Sequence, residues 1–62
     1  MKKGFIIYDF VRKMFYCGDY GAELEWQTYF YYSEFYSEKE DAEMAISKLS
    51  EGAYQIIELY RN

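Results

Sequence analysis

Sixty-two residues carrying a net charge of −4, a single cysteine and no histidine leave a narrow range of possibilities. A chain this short reads as one small domain that hides only ~60% of the surface its unfolded form exposes, so its own core is thin. Cys17 alone cannot form an intrachain disulfide, and the lack of His removes Ser–His and Cys–His pairs and the usual zinc sets.

The first predicted element is a strand over Gly4–Phe10 (GFIIYDF), rich in Ile and aromatics and without helical spacing. Phe5 and Ile7 share one face, and Ile6, Tyr8 and Phe10 share the other. Val11–Lys13 is expected to turn the chain, although it contains neither Gly nor Asn. Met14–Cys17 returns as a short strand and completes a β-hairpin. Cys17 lacks a basic neighbour that would activate its thiol, so it reads as a packing residue in a reducing compartment.

Gly18-Asp19-Tyr20-Gly21 is the strongest breaker in the chain, with two glycines free to adopt positive φ. Ala22–Gln27 fits a strand extension, a helical turn or a loop, and it carries Trp26. A ring of that size in so small a protein reads as a core plug.

Thr28–Tyr36 (TYFYYSEFY) holds six aromatic residues among nine and is expected to be the main strand. Tyr29, Tyr31 and Phe35 would point one way, and Phe30, Tyr32 and Tyr36 the other. A strand apolar on both faces needs cover on both. A competing reading makes Tyr29–Tyr32 a helical turn, since short apolar runs cannot be assigned by periodicity alone.

Ser37–Leu49 is the clearest helical signal. Ser37 is the expected N-cap, with Glu40 three residues on closing a capping box. Glu38, Glu40 and Asp41 place negative charge at the positive end of the helix dipole. Ala42, Ala45, Ile46 and Leu49 follow the i, i+3, i+4, i+7 spacing of a buried stripe. Gly52 is the expected C′ residue. Ala53–Tyr60 (AYQIIELY) reads as the last strand, followed by a short tail of Arg61 and Asn62.

These elements predict an α+β fold: an antiparallel sheet of three or four strands with one helix packed on one face, in the order β-β-β-α-β. One helix covers one face only, so the other is expected to remain apolar. An exposed apolar patch of that kind marks an association surface.

Charge is segregated along the chain. Asp19–Glu43 holds eight acids and one base, whereas the remainder carries a net charge of +3. Binding a polyanion gains from counterion release only where the protein is locally basic, so nucleic acid is an unfavoured partner despite nine tyrosines that could stack on bases. The acidic stretch suits a basic protein surface, or imitates nucleic acid in a basic groove. Paired carboxylates such as Glu40 and Glu43 read as a solvated helix face rather than an acid–base or Mg²⁺ site, and no cofactor is implied. The apolar run from Phe5 stops at Asp9, too short for a signal peptide or a membrane span.

Tyr8-Asp9 in the opening hairpin, Tyr16–Gly21 (YCGDYG), Trp26, Phe35-x-Ser37 leading to Ala42, and Tyr54-x-Ile56 form a pattern that resembles small uncharacterised proteins encoded by bacteriophages and related mobile elements. The resemblance implies a location in the host cytoplasm and a non-enzymatic accessory role, and it brings no catalytic residues with it. The functional expectation is a small protein that binds a bacterial host protein, such as a defence or nucleic-acid enzyme, and modulates its activity, with inhibition the leading form. Tyr29, Tyr31 and Tyr32 are the expected contact anchors, and Glu34, Glu38 and Asp41 steer the approach. The alternative is a structural module whose aromatic face closes on a second copy as a homodimer.

Overall fold

The computed structural model describes residues 1–18, 26–49 and 52–61. Asp19–Glu25, including most of the expected glycine turn and the start of the ambiguous segment after it, lie outside the described residues. The predicted α+β architecture is present. Strands β1 (Lys2–Asp9), β2 (Met14–Tyr16) and β3 (Trp26–Gln27) are followed by α1 (Lys39–Ser47) and β4 (Tyr54–Arg61). The four strands form one antiparallel sheet in the order β3-β2-β1-β4, and α1 packs against β1 and β4.

β1 lies at the centre and is the most buried of the strands. It pairs along its whole length with β4, from Lys2 opposite Arg61 to Asp9 opposite Tyr54. Arg61 therefore belongs to a strand and not to a tail. This register puts Lys3, Phe5, Ile7 and Asp9 on one face with Tyr54, Ile56, Glu58 and Tyr60. Gly4, Ile6 and Tyr8 lie on the other with Gln55, Ile57 and Leu59. Ile6 and Ile7 point to opposite faces, yet they are only 2% and 0% exposed. Both faces of the central strand are thus covered, and the expected bare second face is corrected. On the Gly4 face the Phe35 ring lies so close that a Cβ at Gly4 would overlap it. On the Asp9 face Trp26 reaches across to stack on Tyr54, with ring centroids 6.0 Å apart, and meets Tyr16 edge-on at 5.4 Å. Trp26 is half-buried, as a plug that large in so small a fold must be.

The hairpin between β1 and β2 turns without glycine. Phe10–Lys13 form its loop, so Phe10 leaves the predicted strand and is exposed. The Val11 amide donates to Asp9 Oδ1 at 2.8 Å, and the Lys13 amide donates to the Asp9 carbonyl at 2.7 Å. Asp9 thereby supplies the turn chemistry that Gly or Asn usually provides. Lys13 adopts the left-handed conformation, with φ 58°. A side chain there is strained by about 1–2 kcal/mol, partly offset in a glycine variant by its freer unfolded chain. Lys13→Gly is expected to stabilise the protein by about 0.5 kcal/mol. Chemical denaturation would reveal this as a higher midpoint with an unchanged slope.

The main correction concerns Thr28–Tyr36, which is not a strand. Phe30–Tyr32 form a single 3₁₀ turn, the helical alternative for this stretch. Ser33 closes it: its amide bonds to the Phe30 carbonyl at 3.0 Å, and its hydroxyl donates to the same oxygen. Hydroxyl side chains offer the backbone this local alternative to a ladder. Only Tyr36 keeps a strand-like role, exchanging two backbone hydrogen bonds with Phe5 at 2.7 and 2.8 Å where β2 has already left the edge of β1.

The helix starts later than the capping pattern indicates. Glu38, in extended conformation, is the N-cap and makes no side-chain cap bond, so the Ser37–Glu40 box does not form. Glu40 and Asp41 do occupy the first turn. Ala42 is fully buried, and Ala45, Ile46 and Leu49 are half-buried, which confirms the apolar stripe. The helix ends at Ser47 with Lys48 as C-cap, so Gly52 lies beyond the C′ position expected of it.

Candidate protein-docking surface

The 3₁₀ turn displays three successive rings. Tyr29, Phe30 and Tyr31 are 69%, 57% and 75% exposed. A strand would send alternate rings to opposite faces, whereas a tight turn fans neighbouring side chains outward from one short stretch. The turn is tethered at its base. The Glu34 amide donates to the Tyr16 carbonyl at 2.9 Å, and Tyr36 is pinned to Phe5. Arg61 Nη2 donates to the Tyr31 carbonyl at 3.3 Å, while the Arg61 guanidinium lies 4.8 Å from the Phe35 ring centre. The rings are therefore presented on a backbone fixed to the sheet at several points.

The six expected contact residues fall into three groups. Tyr29 and Tyr31 share the exposed turn. The backbone of Tyr32 completes that turn, and its side chain lies outside what the structure describes. Glu38 and Asp41 are exposed at the start of α1, joined by a bond from the Asp41 amide to the Glu38 carbonyl at 3.1 Å. Glu34 differs from that pair: it is half-buried. Burial first, and the Glu34 charge second, push the Cys17 thiol above its ordinary pKa. Cys17 is 3% exposed, with Sγ 3.5 Å from the Phe15 carbonyl, so it is a packing residue held as the neutral thiol.

Sequence reasoning missed Phe30, which is exposed beside the tyrosines, and Arg61, which holds the turn. No periodic signal marks either of them. It also missed a second cluster at the hairpin. Asp9 is fully buried and ion-paired to Arg12. The Arg12 guanidinium lies 4.5 Å from the Trp26 ring centre, over its face. Burial alone would push the Asp9 carboxyl up, but the Arg12 hydrogen bond and the Val11 and Arg12 amides outweigh it and hold the group below the usual aspartate range. The hydrogen bonds that Arg12 donates to Asp9 and Tyr54 raise its pKa above the ordinary arginine value. A carboxylate so committed to the charged form is a turn anchor and a poor proton donor or acceptor near neutral pH.

Among the described residues no group of three or more Asp, Glu or Cys side chains is placed to hold a metal ion. Among them, too, no helix is long and apolar enough to cross a membrane. Comparison of the chain with protein-family models, curated proteins and solved structures found no match.

Proposed function

We propose that the chain is a non-enzymatic binding module that docks on a basic protein surface through the Tyr29–Tyr31 turn. Glu38 and Asp41 steer the encounter. In the phage-type setting implied by the resemblance, the partner is a bacterial host protein, and docking inhibits it. The observation that carries this reading is the run of three exposed rings on a tethered turn. Aromatic side chains supply large contact area at low entropic cost, and a fixed backbone reduces the ordering cost of binding. The acids at the start of α1 add charge complementarity, which speeds association and selects a basic partner. The absence of His from the sequence and the committed charge of Asp9 favour binding over acid–base chemistry.

The test is capture from bacterial lysate, followed by reconstitution with the purified partner. Tyr31→Ala is expected to weaken that binding about 30-fold, the size of a hot spot of about 2 kcal/mol. Glu38→Gln with Asp41→Asn should slow association and flatten its salt dependence. A partner retained equally by wild type and Tyr31→Ala would refute the turn as the contact.

A further inference from the structure

We infer that β4 is a dimerisation edge, on which β4 of a second copy adds antiparallel to extend the sheet. This surface is separate from the aromatic turn, so either proposal can fail alone. The inference starts from backbone direction. Phe5 exchanges both of its hydrogen bonds with Tyr36, and Phe10 donates to the Ala53 carbonyl at 3.0 Å. In an antiparallel strand successive residues direct their amide and carbonyl to alternate sides. Gly4, Ile6 and Tyr8 therefore bond to their β4 partners Leu59, Ile57 and Gln55. It follows that Tyr54, Ile56, Glu58 and Tyr60 aim their amides and carbonyls away from β1. Among the described strands none lies on that side, because β4 ends the sheet order.

The edge lacks the usual protection against pairing. β4 is eight residues long and contains no Pro and no Lys. Its two charges, Glu58 and Arg61, cancel, and Glu58 is already paired with Lys3 at 3.1 Å. An edge left this regular is a template on which another strand can pair. Burial points the same way: Ile6 and Ile7, in the central strand, are buried, whereas their partners Ile57 and Ile56 are only half-buried.

A second copy is the occupant because the strand is complementary to itself. Pairing Ile56 with the second copy's Glu58 joins them by reciprocal bonds, and the same register sets Tyr54 opposite Tyr60. It sets Ile57 against Ile57 across the two-fold axis, as a close non-hydrogen-bonded pair. It also lays Tyr60, 59% exposed in the single chain, beside the Trp26–Tyr54 stack of the other copy. A slip of two residues one way sets Glu58 against Glu58, and a slip the other way runs Tyr60 off the strand. Among the described residues the opposite edge, β3, offers only two residues for pairing, so the assembly closes at two copies.

The test is the mass of the full chain by sedimentation equilibrium from low micromolar to near-millimolar concentration. Wild type is expected to move from one chain to two. Glu58→Pro removes an outward amide, which an edge strand tolerates, and is expected to stay folded and remain a single chain throughout. If Glu58→Pro does not fold, amide exchange of the wild type decides. The Ile56 and Glu58 amides should exchange at least tenfold more slowly at high concentration than at low, with Ile57 and Leu59 slow at both. The inference fails if the mass stays at one chain, if folded Glu58→Pro dimerises like wild type, or if the Ile56 and Glu58 amides exchange at the same rate at every concentration.

Discussion

Gly4→Ala is expected to lower the thermal midpoint by about 5–20 °C, although alanine ordinarily suits a strand better than glycine. Gly4 is buried in β1, and a Cβ added there would overlap three atoms of the Phe35 ring. Whether the ring can retreat decides the sign. It is held on both sides along the chain, by the Tyr36–Phe5 bonds and by the bond from the Glu34 amide to Tyr16. Across the sheet the Arg61 guanidinium lies over it. Retreat therefore means moving a backbone segment that also carries the aromatic turn. Overpacking of this kind costs about 1–3 kcal/mol, against a propensity gain of about 0.5–1 kcal/mol, so the overlap wins. The coupling is directly measurable: Gly4→Ala combined with Phe35→Leu should lose less than the sum of the two single losses, because the smaller side chain yields the space. A midpoint for Gly4→Ala at or above wild type would show that the ring moves freely. Under the proposed docking role, the same variant should also weaken binding, since it displaces the base of the turn that presents Tyr29 and Tyr31.

Much of the fold was legible because local pattern and long-range packing agree in β1, the hairpin, α1 and β4. Ile6-Ile7 and Ile56-Ile57 are β-branched pairs that fit a covered sheet centre, and Ala42–Leu49 repeats at helical spacing. Thr28–Tyr36 was not legible for a physical reason. Its rings satisfy strand propensity, but a strand there would need cover on both faces and a free length of β1 beside it. β2 already occupies the upper half of that side, leaving room for Tyr36 alone. Ser33 then offers the Phe30 carbonyl a local partner, and the chain turns. The helix start shifted for a similar reason. Tyr36 is fixed to β1, the chain bends at Ser37 and Glu38, and it coils only from Lys39. The proposed docking residues were legible as residue types, not as geometry. A strand reading divides Tyr29–Tyr31 between two faces, whereas the turn gathers them. The Asp9–Arg12 pair had a sequence signal in its i, i+3 spacing across a turn without glycine. Reading Asp9 only as a strand residue concealed it.

Removing that carboxylate gives the second large effect. Asp9→Ala is expected to cost about 2 kcal/mol, within the range for losing the hydrogen bonds of a buried charged acceptor. The Val11 amide loses its partner at 2.8 Å, and the hairpin loses the bond that replaces turn glycine. Arg12 loses the anion that orients it over Trp26, so the Trp26–Tyr54 stack loosens as well. Asp9→Asn retains an acceptor for Val11 and should lose less at neutral pH. The two polar versions separate most clearly in acid. The folded Asp9 pKa lies below its ordinary value, so the unfolded chain takes up the proton first as pH falls. Its stabilisation is complete above the ordinary aspartate range, and is lost as pH drops through the lower, folded value. Wild type should therefore lose denaturation midpoint across that interval, while Asp9→Asn, with no carboxylate at this position, declines less steeply. Parallel pH profiles for the two proteins would mean that the buried charge contributes nothing beyond the shape and hydrogen bonding that asparagine also supplies.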